Sequence, residues 1–344
     1  MQQIRLVLIG LGTMGRRFCR ILHDKGEHLR QRYGMEMVLI GAADSRGAAY
    51  DPMNGLNPEQ IIALKSSGGS IADYPDVGRK DWLAAALVET AQADVLLEAS
   101  PVNLHQGAEP GLSTARAALR RGMHVVTPNK GLLVVAYSEL HELAASHDVQ
   151  LRFGGTVAGG LPALYLGQRV LRGADIQRLQ AVPNLTTGYV MDMLADGLTW
   201  EEAVDRARAD GMLEGDGSWD LEGWDAAAKL VILANAVLDV PARMDDVNRT
   251  GITHLEPETL RAAKERGERY RLLADAERDA DGGYELSVAL TPLPSDHPLG
   301  HLKSTEMGIV YKTDIYGTLA AIIDESNPTP SAATMLRDVL DIYL

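Results

Sequence analysis

An apolar segment that runs directly into closely spaced glycines does most to constrain the fold of this chain. Residues 4–9 read IRLVLI, and Gly10, Gly12 and Gly15 follow as G-x-G-x-x-G before a segment with helical spacing. So short an apolar run is typical of a buried parallel strand. In such a unit the first glycine permits the turn, the second lets a pyrophosphate approach, and the third lets helix and strand pack. The segment predicts a dinucleotide-binding unit; a plain tight turn is the alternative.

Further along, short apolar segments alternate with helical ones. Strands are predicted at 35–45, which ends near Asp44, and within 94–100 and 123–130. Strands that alternate with helices form parallel sheets, so the fold class is α/β, with an N-terminal Rossmann-type doubly wound parallel sheet. Residues 45–60, rich in Gly, Pro and Asn, are expected to leave this sheet as an irregular excursion.

The pattern changes after about residue 135 and predicts a mid-chain α+β domain. Residues 175–194 are typical of a strand, a loop and then a helix. Thr199 and Glu202 have the spacing of a capping box at a helix start. The remaining segments are predicted as antiparallel strands at 283–293 and 307–324 and a closing helix at 329–344.

The composition narrows the class of partner. The chain has 344 residues and a formal net charge of -14. Nucleic acid and anionic membranes need a basic surface, so neither is expected as a main partner. Cys19 is the only cysteine in the sequence, which excludes an internal disulfide and suits a reducing compartment. Because neither a signal peptide nor an apolar run of about 18 residues is present in the sequence, a cytoplasmic protein with a small-molecule substrate is expected.

Two neighbouring residues predict opposite cofactor preferences. Asp44, at the end of the second strand, occupies the position that usually binds the adenosine ribose hydroxyls. Arg46 could pair instead with a 2′-phosphate. NAD and NADP therefore both stay open, and a further alternative makes Asp44 a turn residue bonded to its own backbone. Thr13 and Met14 follow the second glycine, where the N–H groups of a helix start attract phosphate.

Four later segments together resemble one enzyme family. They are HVVTPNKGLL at 124–133, GGTVAGGLPAL at 154–164, NLTTGYVMDML at 184–194 and EGDGSWDLEGWDAAAKLVIL at 214–233. Their order and spacing are similar to those of homoserine dehydrogenase, and the resemblance covers nearly the whole chain. It implies an NAD(P)-dependent oxidoreductase that interconverts L-homoserine and L-aspartate 4-semialdehyde.

The resemblance also assigns roles to individual side chains. Lys229 matches the lysine that moves a proton at the substrate oxygen, and Lys130 matches a second active-site lysine near the nicotinamide. Asp220 matches an acid that hydrogen-bonds the substrate, and Glu214 matches the glutamate that binds its ammonium. Asp225 lies four residues before Lys229 and therefore on the same helical face. Further substrate or cofactor contacts are expected at Asn184, Thr186, Gly159, Ser100 and Pro101.

Each acidic or basic residue has a plainer interpretation. Asp225 and Lys229 fit an ordinary exposed ion pair, Asp220 fits a helix N-cap, and Glu214 fits a solvated loop charge. Lys229, however, stands between AAA and the apolar run LVILANAVL, which favours a position at a cleft.

The chain departs from the family pattern around the expected pocket. Leu185 stands where the family has a small glycine, and Gly188 replaces a second asparagine. Gly154 stands where the family often has the glutamate of a monovalent-cation site, so a cation would depend on the backbone carbonyls of Val157 and Gly159.

By the same resemblance, residues 1–135 and 311–344 are expected to form the dinucleotide-binding domain. Residues 136–310 are expected to form the catalytic and dimerisation domain, with a homodimer as the assembly and the active site in a cleft between domains. The chain is expected to lack the family's C-terminal regulatory domain, and with it threonine inhibition. Two alternatives stay open: a paralogue that oxidises another amino alcohol or hydroxy compound, and a non-catalytic dinucleotide-binding sensor.

Overall fold

The computed structural model describes residues 1–213 and 217–344 of the chain. Numbered in chain order, the strands are β1 Gln2–Ile9, β2 Met35–Asp44, β3 Gly47–Tyr50, β4 Gly78–Arg79, β5 Val95–Glu98, β6 His124–Val126, β7 Leu151–Arg152, β8 Ile176–Val182, β9 Val247–Arg249, β10 Arg269–Arg278, β11 Tyr284–Leu293, β12 Glu306–Thr313 and β13 Thr318–Asp324. The helices are α1 Thr13–Tyr33, α2 Pro58–Ser66, α3 Ala84–Thr90, α4 Gly111–Arg120, α5 Lys130–Ser146, α6 Ala163–Tyr165, α7 Leu185–Ala195, α8 Trp200–Ala209, α9 Ser218–Leu221, α10 Trp224–Val237, α11 Pro257–Glu265 and α12 Thr329–Tyr343.

The chain divides into two compact units at points later than the sequence predicted. The first unit is Met1–Gly160 with Asn327–Leu344, and the second is Leu161–Ser326. The first division is later because the chain continues in the first unit through helix α5 to strand β7, which pairs with β6 in the first sheet. The second is later because β12 and β13 pair with each other, and β12 with β8, in the second sheet.

The first unit contains the predicted Rossmann-type sheet. Its strand order is β4-β3-β2-β1-β5-β6-β7, and the five strands from β2 to β7 in this order pair in parallel. Helix α1 buries Phe18, Cys19 and Leu22 in the same core as the β1 side chains, and Met335 and Val339 of α12 join that core. Burial raises the pKa of the Cys19 thiol to about 12, so this cysteine is a core residue rather than a nucleophile.

The predicted irregular excursion after Asp44 is confirmed for residues 51–57, which lie in neither a helix nor a strand, and is wrong for the residues before and after them. The chain instead turns at Ser45 and Arg46 and returns as β3, antiparallel to β2, before α2 and the short antiparallel β4. The sequence signal for strand β3 was weak because three of its four residues, Gly47, Ala48 and Ala49, are small. Ala48 and Ala49 are fully buried. Small residues fit a crowded position in a sheet but have low strand propensity.

The second unit is the predicted α+β domain. Its strand order is β13-β12-β8-β10-β11-β9, and every pairing among these strands is antiparallel except that of β9 with β11. The predicted capping box is confirmed, since Thr199 accepts from the Glu202 N–H and the Glu202 carboxylate accepts from the Thr199 N–H. Across the described ranges, no helix combines the length and apolar character that crossing a membrane requires.

Two glycines of helix α1 provide a test of why the first strand–helix turn needs glycine. A Cβ atom at Gly15 would overlap the carbonyl oxygen of Gly10, whereas one at Gly26 would meet no atom within 4 Å. We expect Gly15→Ala to lower the free energy of unfolding by about 2 kcal/mol or more. Gly26→Ala should raise it by about 0.5–1 kcal/mol because alanine favours a helix interior. Urea titration followed by circular dichroism measures both, and equal effects of the two substitutions would contradict this account of the turn.

Candidate active site

The glycine turn after β1 is shaped to receive an anionic group. Gly10 has a φ of 93°, which few other residues adopt, and its Cα faces the backbone of Ala99 so closely that a side chain would overlap it. Nothing described lies within 4 Å of a Cβ atom placed at Gly12, so that side of the turn is open. No described side chain caps α1, which begins at Thr13 and Met14, so its first N–H groups can meet a phosphate. The turn therefore fits the pyrophosphate of NAD(P).

The Asp44 carboxylate is largely satisfied by its own chain. One oxygen accepts from the Arg46 N–H at 2.9 Å and the Ser70 hydroxyl at 3.0 Å, and the other accepts from Lys65 Nζ at 2.6 Å and the Ile71 N–H at 3.0 Å. Burial acts to raise the pKa of Asp44, but these hydrogen bonds outweigh it and hold the pKa below its usual range. The Asp44 side chain is 8% exposed. Its burial and its hydrogen bonds therefore fit a residue that stabilises the turn better than a residue that binds the adenosine ribose.

Arg46 lies two residues after Asp44 and, unlike Asp44, has an exposed side chain. Its side chain is exposed at the end of β2, where the guanidinium donates to the Gly68 carbonyl oxygen at 2.9 Å. A guanidinium in this position keeps further N–H donors for a phosphate group.

The carboxyl ends of β5 and β6 meet in a buried polar cluster. The Glu98 side chain, at the end of β5, accepts from the Ser100 N–H at 3.0 Å. Thr127 follows β6, and its hydroxyl donates to the Glu98 carbonyl oxygen at 2.8 Å. Asn129 donates from Nδ2 to the Ser100 carbonyl oxygen at 3.2 Å. The cluster includes the expected cofactor residue Ser100, with Pro101 exposed beside it.

Lys130 is the first residue of α5, directly after this cluster. Asn129 is the N-cap of α5, because its Oδ1 accepts from the Gly131 N–H at 3.0 Å. The position of Lys130 is therefore tied to the end of β6 through one buried asparagine, which is 2% exposed.

A second cluster, in the other unit, joins four of the expected site residues. Lys229 Nζ lies 2.7 Å from Asp225 Oδ2 and donates to the Pro183 carbonyl oxygen at 2.6 Å. Asn184 Nδ2 donates to Asp225 Oδ2 at 2.6 Å and to Asp220 Oδ1 at 2.6 Å. One amide group thus connects both carboxylates, and one of them holds the lysine.

The plainer interpretations of this cluster do not fit its geometry. The side chains of Lys229 and Asp225 are 14% and 4% exposed, so the pair is buried rather than an ordinary surface ion pair. A buried ion pair persists when further hydrogen bonds satisfy its charges, which Asn184 and the Pro183 carbonyl provide. Asp220 lies within α9, whose N-cap is Gly217, so Asp220 is not a helix cap.

Asn184 reaches both carboxylates because of where α7 begins. It is the N-cap of α7, directly after β8, and its Oδ1 accepts from the Thr187 N–H at 3.0 Å. That bond uses the amide oxygen and leaves both N–H donors directed at the acids. The expected loop before α7 is therefore short, with Leu185 and Gly188 inside the helix.

Other expected site residues lie outside this cluster. Thr186 is 7% exposed and its hydroxyl donates to the Met212 carbonyl oxygen at 2.7 Å, which fixes the segment after α8. Glu214 lies outside the described residues.

The surroundings of Gly154 do not fit the expected cation site. A Cβ atom at Gly154 would lie 2.7 Å from Asp338 Oδ1 and 3.0 Å from Arg337, so α12 fills the space of a longer side chain. The Gly159 carbonyl oxygen accepts from the Thr334 hydroxyl at 3.2 Å, and Val157 is buried. Among the described residues, no group of three His, Cys, Asp or Glu side chains could hold a metal ion.

The sequence interpretation missed three groups. Glu98, fully buried at the end of β5, was not singled out, and neither were Thr127 and Asn129. A signal was present, because a carboxylate that ends the apolar run VLL, and polar residues that end HVV, mark strand ends that face ligands in parallel sheets.

The chain is similar to homoserine dehydrogenases along nearly its whole length. The family model described as "Homoserine dehydrogenase" matches residues 162–340, and the model described as "Homoserine dehydrogenase, NAD binding domain" matches residues 10–154. An NAD(+)-dependent homoserine dehydrogenase of Pseudomonas canavaninivorans is 31% identical over 100% of this chain and 97% of its own length. The homoserine dehydrogenase of Methanocaldococcus jannaschii is 32% identical over 98% of each chain.

A solved structure agrees with the sequence relatives. The homoserine dehydrogenase of Thermoplasma acidophilum superimposes with a TM-score of 0.83 over 99% of each chain, at 26% identity. The predicted activity is thereby confirmed, and neither the paralogue nor the sensor is favoured. The chain belongs to the homoserine dehydrogenase family and is an NAD(P)-dependent oxidoreductase that acts on a CH–OH group.

Proposed function

We propose that Lys229 exchanges the proton at the substrate oxygen and that Asp225, Asn184 and Asp220 hold it and the substrate in place. The observation that carries this proposal is the continuous network from Lys229 through the buried Asp225 and Asn184 to the half-buried Asp220. Interconversion of homoserine and aspartate 4-semialdehyde moves a hydride at carbon and a proton at oxygen. Bound NAD(P) supplies the nicotinamide carbon that takes or gives the hydride.

The contacts of Lys229 suit proton transfer. Two of its three N–H donors point at Asp225 and the Pro183 carbonyl, and the third serves the substrate oxygen. In the reductive direction the ammonium gives its proton to the oxygen that becomes the hydroxyl. In the oxidative direction the amine takes the hydroxyl proton as the hydride leaves the carbon, and Asp225 stabilises the ammonium that results.

Of the remaining residues, some are proposed to contact the substrate and others the cofactor. Asp220 and Glu214 supply carboxylates for the hydroxyl and ammonium groups of the substrate, and Gly159 supplies a backbone contact. Thr186 acts indirectly, through the Met212 carbonyl. Lys130 adds a positive charge near the nicotinamide. The cofactor is proposed to lie on Gly10, Gly12, Thr13, Met14, Gly15, Ser100 and Pro101.

Removal of the Lys229 amine tests the proposal. We expect Lys229→Ala to lower kcat for L-homoserine by about 10²–10⁴-fold, because proton transfer is lost. The Kd for the cofactor should change by less than about 2-fold, because the glycine turn and α1, not α10, hold the pyrophosphate. Reduction of NAD or NADP followed by absorbance, and cofactor titration by fluorescence, give the two values.

The control is Lys264→Ala, which removes an exposed lysine paired with Asp196 in the same unit. It should leave kcat and Kd unchanged. Because Lys229→Ala removes the cation beside the buried Asp225 carboxylate, the double variant with Asp225→Asn and Lys229→Met is measured beside it. A folded double variant with normal kcat would make the lysine a structural residue.

The cofactor site favours NADP over NAD. Asp44 is engaged with Lys65, Ser70 and backbone N–H groups, whereas Arg46 is exposed at the end of the same strand. A ribose hydroxyl would have to compete with those donors for Asp44, while a 2′-phosphate would gain the Arg46 guanidinium. The Pseudomonas canavaninivorans relative is NAD(+)-dependent, so both cofactors need direct comparison.

The comparison uses Arg46→Ala. We expect kcat/KM of the unchanged protein to be higher with NADP, and the variant to lose about 10-fold with NADP and less than about 2-fold with NAD. The matched control is Arg30→Ala, an exposed arginine paired with Glu27 at the end of α1. Higher kcat/KM with NAD, unaffected by Arg46→Ala, would instead assign the ribose to Asp44.

A homodimer is the proposed assembly, and the hairpin of β12 and β13 is the proposed interface. Ile315, Tyr316 and Ile322 on this hairpin are 62%, 54% and 49% exposed, and β13 is an edge strand. Exposed apolar groups at a sheet edge favour association with another chain. A cytoplasmic location is proposed from the amino-acid biosynthetic role of the family.

Light scattering after gel filtration tests the assembly. We expect twice the chain mass of 37.2 kDa, and about 37.2 kDa for the double variant Ile315→Lys and Ile322→Lys. Leu83→Lys is the control, because Leu83 is 56% exposed in the first unit. A single-chain mass for the unchanged protein would refute the homodimer, and a dimer that survives the double variant would place the interface elsewhere.

A further inference from the structure

Glu98 is a buried carboxylate to which the mechanism above gives no role. Its side chain is fully buried at the end of β5. Among the described residues, the Glu98 carboxylate accepts from two neutral donors, the Ser100 N–H at 3.0 Å and the Thr127 hydroxyl at 3.4 Å. The side chains of Ser100 and Asn129 also lie close enough to act on its pKa as hydrogen-bond donors. Burial raises the pKa of Glu98, and these hydrogen bonds oppose that effect without overcoming it. A buried acid without a cation beside it costs stability, so its position calls for a functional reason.

The donors around Glu98 belong to the two segments that follow β5 and β6. Ser100 begins the turn that leads to Pro101, and Asn129 caps the helix that begins with Lys130. The space around them is filled, because a Cβ atom at Gly111 would lie 2.9 Å from Ser100 Oγ, 3.1 Å from Asn129 Nδ2 and 3.1 Å from Glu98 Cδ. A change at Glu98 is therefore transmitted to Asn129 rather than absorbed by a void.

We propose that Glu98 is a positioning residue of the dehydrogenase reaction, which holds Lys130 in place through the Asn129 cap. The inference rests on the proposed role of Lys130 near the nicotinamide. The carboxylate offers two acceptor oxygens to donors from three residues. Glutamine would remove the negative charge and replace one acceptor oxygen with an NH2 group, so the hydrogen bonds from the N–H donors of Ser100 and Asn129 would weaken and the cap would shift. Displacements of about 1 Å at a reacting group cost on the order of 10²-fold in rate.

The experiment compares Glu98→Gln, Asn129→Ala and their double variant with Lys130→Ala, each assayed with L-homoserine. We expect Glu98→Gln to lower kcat by about 10-fold or more. The KM for homoserine should change by less than about 2-fold, since the proposed substrate contacts of the second unit are untouched. The double variant should be no worse than the more impaired single variant, because both substitutions release the same lysine.

Thr114→Val controls for the loss of a buried polar group. Thr114 is 2% exposed in α4 and donates to the Gly111 carbonyl oxygen at 2.8 Å, within its own helix. Its kcat should stay normal even where its unfolding midpoint falls. If Glu98→Gln does not fold, Thr127→Val carries the test, since it removes one donor at nearly constant volume, and its kcat should fall with KM unchanged.

The outcomes separate the inference from the proposed function. A normal kcat for Glu98→Gln and Thr127→Val, with a low kcat for Lys130→Ala, would overturn the role of Glu98 alone. The same holds if the losses for Glu98→Gln and Asn129→Ala multiply, because independent effects would not pass through one lysine. A normal kcat for Lys130→Ala would overturn the role of Lys130 and, with it, that of Glu98.

Discussion

Two carboxylates of the second unit share the amide group of one asparagine, and the arrangement of Lys229 depends on that contact. Asn184 donates to Asp220 and to Asp225, and Asp225 in turn holds Lys229. The asparagine can do so because it lies two residues after β8 and caps α7, which fixes its backbone and uses its amide oxygen. A buried charge pair is stable only when its remaining hydrogen-bonding groups are satisfied, so Asn184 makes the position of Lys229 possible.

In the first unit, too, hydrogen bonds from neighbouring segments satisfy a buried carboxylate, here at the edge of a parallel sheet. Parallel strands bring their carboxyl ends to one edge of the sheet, so Glu98, Thr127 and Asn129 converge although 31 residues separate the first from the last in the numbering. Their hydrogen bonds tie the start of α5 to the end of β5. In both units, an asparagine that caps the helix after a strand lies close to a lysine: Asn129 precedes Lys130 in the chain, and Asn184 reaches Lys229 through Asp225.

Much of the fold could be predicted from the sequence because its signals are local. The glycine spacing after β1, the alternation of β11 and the Thr199–Glu202 capping box each depend on neighbours within a few residues. The prediction was wrong for β3, since its alanines carry little strand preference and pair with β2 only through tertiary contacts. It also divided the chain too early, because the partners of β7 and β12 are distant in sequence.

The sequence by itself determined the family, the chemistry and the type of residue available, since these follow from motif order and spacing. It placed Asp225 and Lys229 on one helical face, yet left open whether the pair was exposed. Only the tertiary structure decided that the pair is buried, that Asp44 is engaged with Lys65, and that Glu98 and Asn129 both pack against Gly111. Burial and long-range hydrogen bonds depend on which segments pack together, and no local pattern of residues specifies that.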